Sequence, residues 1–236
     1  MAAGAEGGRP PPGIGGAVPT PGGSGRAFPR EVLASDTLAA ARALIGARLV
    51  RDGDTPRVGR IVEVEAYIGE ADRASHARMG PTARNRVMFG PPGVAYVYLV
   101  YGMHNCLNVV TEPDGRPAAV LIRAVEPLEG AGAMRAAREA LRDTSVRALD
   151  ARLAAGPGLV AAAFDIDRSC TGLDLCDTSS PLRLAPRPDD EAPPAIAATP
   201  RIGITYAGEP WVTVPWRFVA LDSPALSRRP PARPAS

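Results

Sequence analysis

Four runs of strand-type residues, at 58–67, 94–101, 105–110 and 118–125, follow one another with turn chemistry between them, and this succession narrows the fold most. Gly102-Met103-His104 separates the second run from the third, and Asp114-Gly115 precedes the fourth. Such connections are too short for the crossover that parallel neighbours need, so the simplest arrangement is an antiparallel sheet. A further strand at 48–51 joins 58–67 around Asp52-Gly53, and 201–204 and 211–220 have strand-like composition. Ser35 or Asp36 is placed to cap a helix whose apolar positions Leu38, Ala41, Leu44 and Ile45 recur at helical spacing, with Gly46 as its stop. The alanine-rich stretch 128–141 and the stretch 157–164, which follows Gly156 and opens on proline, read as two more helices. Residues 171–200 are crowded with prolines and are assigned no element.

The expected fold is therefore α+β, a single mixed domain with a curved antiparallel β-sheet surrounded by helices and long loops. It spans 28–221. Gly and Pro dominate residues 1–27, and Pro, Arg and Ser dominate 222–236; both read as disordered tails because they bury too little apolar surface to offset their ordering entropy.

Composition excludes several chemistries. All 27 basic residues are arginine, so the chain has no side-chain amine for a Schiff base and no P-loop lysine for a nucleotide phosphate. Its three cysteines lack C-x-x-C spacing, which argues against a disulfide framework or a structural zinc site and for a reducing, cytoplasmic compartment. No metal or organic cofactor is implied. No apolar stretch approaches the ~20 residues of a membrane span, and no signal-type segment opens the chain. A net charge of +2 and a pI near 8.6 permit a nucleic-acid partner without demanding one.

Aromatic residues make up only 5% of the chain, yet Tyr96, Tyr98 and Tyr101, three of its five tyrosines, fall in one short run. Alternation puts Tyr96 and Tyr98 on one face, whereas Tyr101 has the opposite parity and sits at the hairpin's end, where a ring protrudes. The same period puts Ile61, Glu63, Glu65 and Tyr67 on one face of their strand. Between the two runs lies a polar loop, 71–92, carrying His76, Arg73, Arg78, Arg84 and Arg86. Flat rings beside one carboxylate and one arginine suit attack of water on a carbon that bears a heterocyclic leaving group. Glu65 is the candidate base. Arg123, a charge within an apolar strand, needs a carboxylate partner. Glu63 reads as a structural partner for a loop arginine, Tyr96 as core, and Arg84 and Arg86 as phosphate contacts. From the residues alone, Glu65 also fits a structural salt bridge, His76 an ordinary loop position, and Tyr101 either packing or DNA contact.

The segments Glu63-Val64-Glu65-Ala66-Tyr67, Arg84-Asn85-Arg86-Val87-Met88-Phe89, Tyr96-Val97-Tyr98-Leu99-Val100-Tyr101-Gly102-Met103, Asn105-Cys106-Leu107-Asn108 and Leu121-Ile122-Arg123-Ala124-Val125-Glu126-Pro127, with Gly156-Pro157-Gly158 and Arg201-Ile202-Gly203, resemble in order and spacing the alkyladenine (3-methyladenine) DNA glycosylase family. The resemblance covers roughly residues 28–221. It implies a monofunctional base-excision repair enzyme, acting as a monomer on double-stranded DNA, that flips a damaged purine and hydrolyses its N-glycosidic bond. By the same resemblance Glu65 is the general base, Arg123 and the main-chain carbonyl of Ile202 hold the water, and Tyr67, His76 and Tyr98 wall the base pocket. Asn108 is the residue whose amide crowds the amino group of guanine, Tyr101 the wedge that fills the vacated stack, and Met103 a further DNA contact. Two departures stand out. Leu159 occupies the position after Gly156-Pro157-Gly158 where the family places lysine, and His104 and Asn105 follow the Tyr-Gly-Met turn. Two rival readings remain, a non-enzymatic nucleic-acid binding module and an RNA or nucleoside N-glycoside hydrolase.

Overall fold

The computed structural model describes residues 25–141 and 149–230; most of the N-terminal tail, at 1–24, and the last residues of the C-terminal one, at 231–236, lie outside the described residues. Within them the α+β expectation holds. Nine strands form an open antiparallel sheet whose main path runs β3 (Ala95–Val100), β4 (His104–Val110), β5 (Ala118–Glu129), β2 (Arg57–Ile68), β1 (Arg48–Arg51) and β7 (Leu182–Ala185). Three strands lie off this path: β6 (Ala154–Ala155) pairs with β5, and β8 (Ile196–Thr199) pairs with β9 (Arg217–Ala220), which pairs with β2. Among the described residues the first helix is a short one, α1 (Arg30–Leu33), followed by α2 (Thr37–Leu44); α3 (Ala131–Ala140) and α4 (Pro157–Ala163) come later.

The long strand β2 divides its edge between two neighbours. Residues 57–60 pair with β1 and residues 63–65 with β9, and a bulge against β5, between Ile61 and Glu63, falls at the change. A bulge places two successive residues against one on the partner strand and resets the alternation. This corrects the expectation that Ile61 lies with Glu63, for Ile61 joins Val62, Val64 and Ala66 in the apolar cluster, while Glu63, Glu65 and Tyr67 keep a common face.

The two faces of the sheet have unlike fates. Val62, Val64 and Ala66 of β2, Ala95 and Val97 of β3, Leu107 and Val109 of β4, and Val120, Ile122 and Ala124 of β5 form the main core with Leu44, Met134, Val160 and Phe164 of the helical layer. There α2 packs on β2, and α4 packs on β4 and β5. Asp36 caps α2 by accepting the Ala39 N–H at 2.9 Å, a contact that contributes about 1 kcal/mol. The opposite face carries Tyr96, Asn108, Leu121 and Glu65 in one row across four strands.

Other elements shift from their expected bounds. β5 continues to Glu129 through Pro127, which sits at a bulge opposite Gly59, where a missing ladder donor is tolerated; the following helix therefore starts only at Ala131. The expected strand at 201–204 is absent, and of 211–220 only Arg217–Ala220 is strand, the preceding residues being turn and irregular chain. The unassigned stretch 171–200 contributes two short strands, β7 and β8. Residues 222–228, given to the tail by composition, are packed: Ser223, Ala225 and Leu226 are buried, and the latter two belong to the core cluster.

Candidate active site

Glu65 stands on the polar face of β2 with its side chain fully buried. Its Oε1 accepts the Ile202 N–H at 2.7 Å, and its Oε2 accepts the Tyr67 hydroxyl at 2.9 Å and Arg123 Nη1 at 3.3 Å. Burial pushes the carboxyl above the ordinary glutamate value, although Arg123, the Ile202 N–H and Tyr67 all oppose the shift. The carboxylate thus keeps more proton affinity than an exposed one while its orientation is fixed by three donors. Burial and the Glu65 charge also hold the Tyr67 phenol well above its usual value, so it remains a donor.

Arg123 rises from β5 at the step where Glu63 pairs with Ala124 and Val64 with Ile122. It finds the carboxylate partner that its apolar setting requires, in duplicate: Nε donates to Glu63 Oε1 at 3.0 Å and Nη1 donates to Glu65. Glu63 does not pair with a loop arginine, contrary to expectation. Its second guanidinium is Arg217 of β9, whose Nε donates at 2.8 Å. Burial alone would raise the Glu63 carboxyl, but Arg217, Ser227 and Arg123 together bring it below the usual range.

Beside this charged floor opens a pocket lined by Tyr67, His76, Tyr98, Asn108, Tyr96 and Met88, among others. Tyr67, His76, Tyr98 and Asn108 are thus brought together. His76 comes from a 3-10 turn, His76–Met79, and stands edge-on to Tyr98 with ring centroids 4.4 Å apart. Its Nδ1 lies 3.0 Å from the hydroxyl of Tyr96, either of them donating. Tyr96 is buried core, as expected, yet its hydroxyl also orients this ring. Partial burial, then the Arg84 and Arg78 charges, push the imidazole down to about 4, leaving it neutral. Asn108 donates its Nδ2 to the Tyr96 carbonyl at 3.1 Å and to that of Cys106 at 3.4 Å, which sets which way the amide faces.

Three residues that support the pocket escaped sequence reasoning. Arg201 is bidentate to Asp72 at 2.6 and 2.9 Å, both side chains fully buried, and its guanidinium lies between the rings of Tyr67 and Trp216, 4.7 and 5.0 Å from their centroids. This cation–π sandwich backs Tyr67, and the same chain segment delivers the Ile202 N–H to Glu65. Ile202 therefore reaches the site, and its contact with Glu65 is made by the N–H; the carbonyl is the group that the resemblance assigned. Asn85 ties the 71–92 loop by donating to the His76 and Gly80 carbonyls at 2.8 and 3.0 Å. Asp72 offers no sequence signal. Arg201 offers a weak one, its adjacency to Ile202.

Tyr101 and Met103 lie outside the pocket at the β3–β4 tip and are 88% and 72% exposed. The turn is Tyr101-Gly102-Met103, one residue earlier than expected, with His104 already in β4. Met103 donates its N–H to the Val100 carbonyl at 3.1 Å, and Tyr101 and Gly102 have φ of +51° and +71°. Positive φ at both central positions suits the twist of a hairpin; it is free for glycine and costs about 1–2 kcal/mol at tyrosine. His104 packs against α4 at Gly158, where a Cβ would come within 3.1 Å of the His104 Cβ. Arg84 donates to the Leu99 carbonyl at 3.1 Å and lies 5.5 Å from the Tyr98 centroid, whereas Arg86 projects from a second 3-10 turn, Arg86–Phe89. Arg73, Arg78 and Arg84 line a groove beside the pocket together with the exposed Tyr206.

Among the described residues no helix is long and apolar enough to cross a membrane. Comparison with known proteins gives a match between residues 31–224 and the family model described as methylpurine-DNA glycosylase (MPG). A protein of Methanocella arvoryzae named "Putative 3-methyladenine DNA glycosylase" is 51% identical over 205 residues, covering 86% of this chain and 97% of the relative. Proteins of the same name from Anaeromyxobacter dehalogenans and Myxococcus xanthus are each 45% identical; they cover 89% and 86% of this chain, and 89% and 95% of themselves.

Proposed function

The chain belongs to the methylpurine-DNA glycosylase family, and from that premise we propose that it is a monofunctional DNA glycosylase that removes alkylated or deaminated purines from duplex DNA. The observation that carries the reading is Glu65, a buried carboxylate with raised proton affinity, held by Arg123, Tyr67 and the Ile202 N–H beside a pocket walled by aromatic rings.

In the proposed reaction the damaged nucleotide leaves the stack and its base enters between Tyr67, His76 and Tyr98. Water held by Glu65, Arg123 and the Ile202 carbonyl attacks C1′ as the C1′–N bond breaks. The base departs with the bonding electrons, and the water gives its proton to Glu65. Alkylated purines are often cationic, which favours them between electron-rich rings and makes them good leaving groups. Asn108, oriented by the Tyr96 and Cys106 carbonyls, meets the exocyclic edge of the base and disfavours guanine. Tyr101 and Met103 occupy the gap in the duplex, and Arg84 and Arg86 contact phosphates. Lacking lysine, the chain stops at the abasic site, since no side-chain amine is present to open the sugar through a Schiff base.

The test incubates the protein with duplexes containing hypoxanthine, 1,N6-ethenoadenine or an alkylated purine, followed by alkali to cleave abasic sites. Strand cleavage at the lesion is expected. Absence of cleavage on every lesion overturns the enzymatic reading, and turnover of free nucleosides or RNA in preference to duplex lesions favours the nucleoside hydrolase instead.

A further inference from the structure

Glu63 lies two residues before Glu65 on the same face of β2, and its side chain is fully buried. It accepts four hydrogen bonds. Two come from guanidiniums, Arg123 Nε and Arg217 Nε, and two from one residue of the C-terminal segment: Ser227 donates its hydroxyl to Oε1 and its N–H to Oε2, each at 2.7 Å. Ser227 lies beyond the stretch matched by the family model and within the segment that composition assigns to a tail. That segment is nevertheless built in. Ala225 and Leu226 are buried in the core, Ser223 donates to Glu126 at 3.1 Å, and Arg217 donates to the Arg228 carbonyl.

The geometry around Arg123 gives this clasp a chemical role. The guanidinium is shared between two carboxylates, and its contact with Glu63 (3.0 Å) is shorter than that with Glu65 (3.3 Å). A guanidinium freed from Glu63 would turn to engage Glu65 through both N–H groups, the preferred fork geometry, and would take up oxygen lone pairs that a water needs. Two arginines and two glutamates also balance in charge within the buried cluster. Removing the charge of Glu63 leaves two cations facing one carboxylate.

We propose that Glu63, clamped by Ser227, is a positioning residue that fixes Arg123 at the edge of Glu65, so that the C-terminal segment is part of the active-site scaffold. The proposal rests on the reading of Glu65 as general base. The groups facing Glu65 are Arg123 from β5, Tyr67 and Glu63 from β2, the Ile202 N–H, and Tyr98 from β3, with Arg217 of β9 reaching it through Glu63. Of these, Glu63 opposes ionisation of Glu65, and loss of the Glu63 charge lowers the pH at which Glu65 ionises.

The experiment measures single-turnover excision by the full-length protein across pH, on whichever of hypoxanthine, 1,N6-ethenoadenine and an alkylated purine the wild type cleaves fastest, with lesion affinity and melting temperature in parallel, for the wild type, Glu65→Gln, Ser227→Ala, Ser227→Thr and Glu63→Gln. Ser227→Ala is expected to lower the plateau rate about tenfold, with affinity within about twofold, and Ser227→Thr to recover most of the loss. Glu63→Gln is expected to lower the plateau further and move the acid limb of the profile to lower pH. A Ser227→Ala protein with the wild-type rate and profile overturns the proposal; so does a rate loss that Ser227→Thr does not recover or that only follows lost affinity. If Glu63→Gln melts too early to assay, the Ser227 pair decides. A wild type that excises nothing, or a fully active Glu65→Gln, overturns the functional reading instead and is recognised before the Ser227 variants are compared.

Discussion

The charged floor beside the pocket and the tip of the β3–β4 hairpin are built on opposite principles. Glu65 is fully buried and held by three donors from three segments of chain, each of which is itself held by further groups. Tyr101 is 88% exposed and is carried on a turn with two positive φ values in succession. On the proposed function, the contrast separates two demands. A proton acceptor must have its environment specified to a fraction of an ångström, which requires burial and many partners. A ring that enters a base stack must meet it uncovered, and only the chain carrying it needs to be rigid.

Four measurements break or sharpen this contrast. The largest effect belongs to the floor: Glu65→Gln keeps the shape and removes the proposed base, and is expected to lower single-turnover excision about a thousandfold while lesion affinity changes only a few-fold. Near-normal turnover would show that the floor does not carry the chemistry. At the tip, Tyr101→Ala is expected to weaken lesion binding by about 1–3 kcal/mol, roughly 5- to 150-fold, with little change in melting temperature. Unchanged affinity would take Tyr101 out of the stack.

A smaller effect concerns the pocket mouth. With its imidazole pushed down to about 4, His76 takes up a proton in the unfolded chain before it does so in the folded one. Its contribution to stability is therefore complete above pH ~6.5 and is lost as pH falls toward 4. A titration of the ring by NMR is expected to give a midpoint near 4 that rises in Arg84→Ala; a midpoint at the ordinary histidine value would show the mouth to be as open as the tip. The smallest effect is structural. Tyr101→Gly relieves the positive φ and is expected to raise stability by about 0.5 kcal/mol, or 1–2 °C in melting temperature, even as binding falls.

Much of this arrangement is legible in the chain itself, for stated reasons. The Asp36-capped helix, the strands at 48–51 and 105–110 and the common face of Glu63, Glu65 and Tyr67 follow from local periodicity, which tertiary structure left undisturbed. Ile61 departs because a bulge inserts a residue, an event that alternation cannot register. β7 and β8 hide among prolines because each is short and lies at a margin of the sheet, where proline is tolerated. At the site, the need of Arg123 for a carboxylate is visible in its apolar neighbours, but the Asp72–Arg201 pair and the reach of Ser227 to Glu63 span 129 and 164 residues. Contacts between such distant segments are set by packing of the whole domain and leave no local pattern.

Six registered pairs, from Ala95 with Val109 to Val100 with His104, carry Tyr101 outward as a fixed prong. Among the described residues none has to open for its ring to reach solvent, so the entropy of placing it is surrendered once, at folding, and not again at each encounter. On the proposed function, the dwell time at any base step is then governed by how readily that step unstacks. A weakened step detains the protein and an intact one releases it, which makes the search for damage a matter of DNA mechanics before any base reaches Glu65.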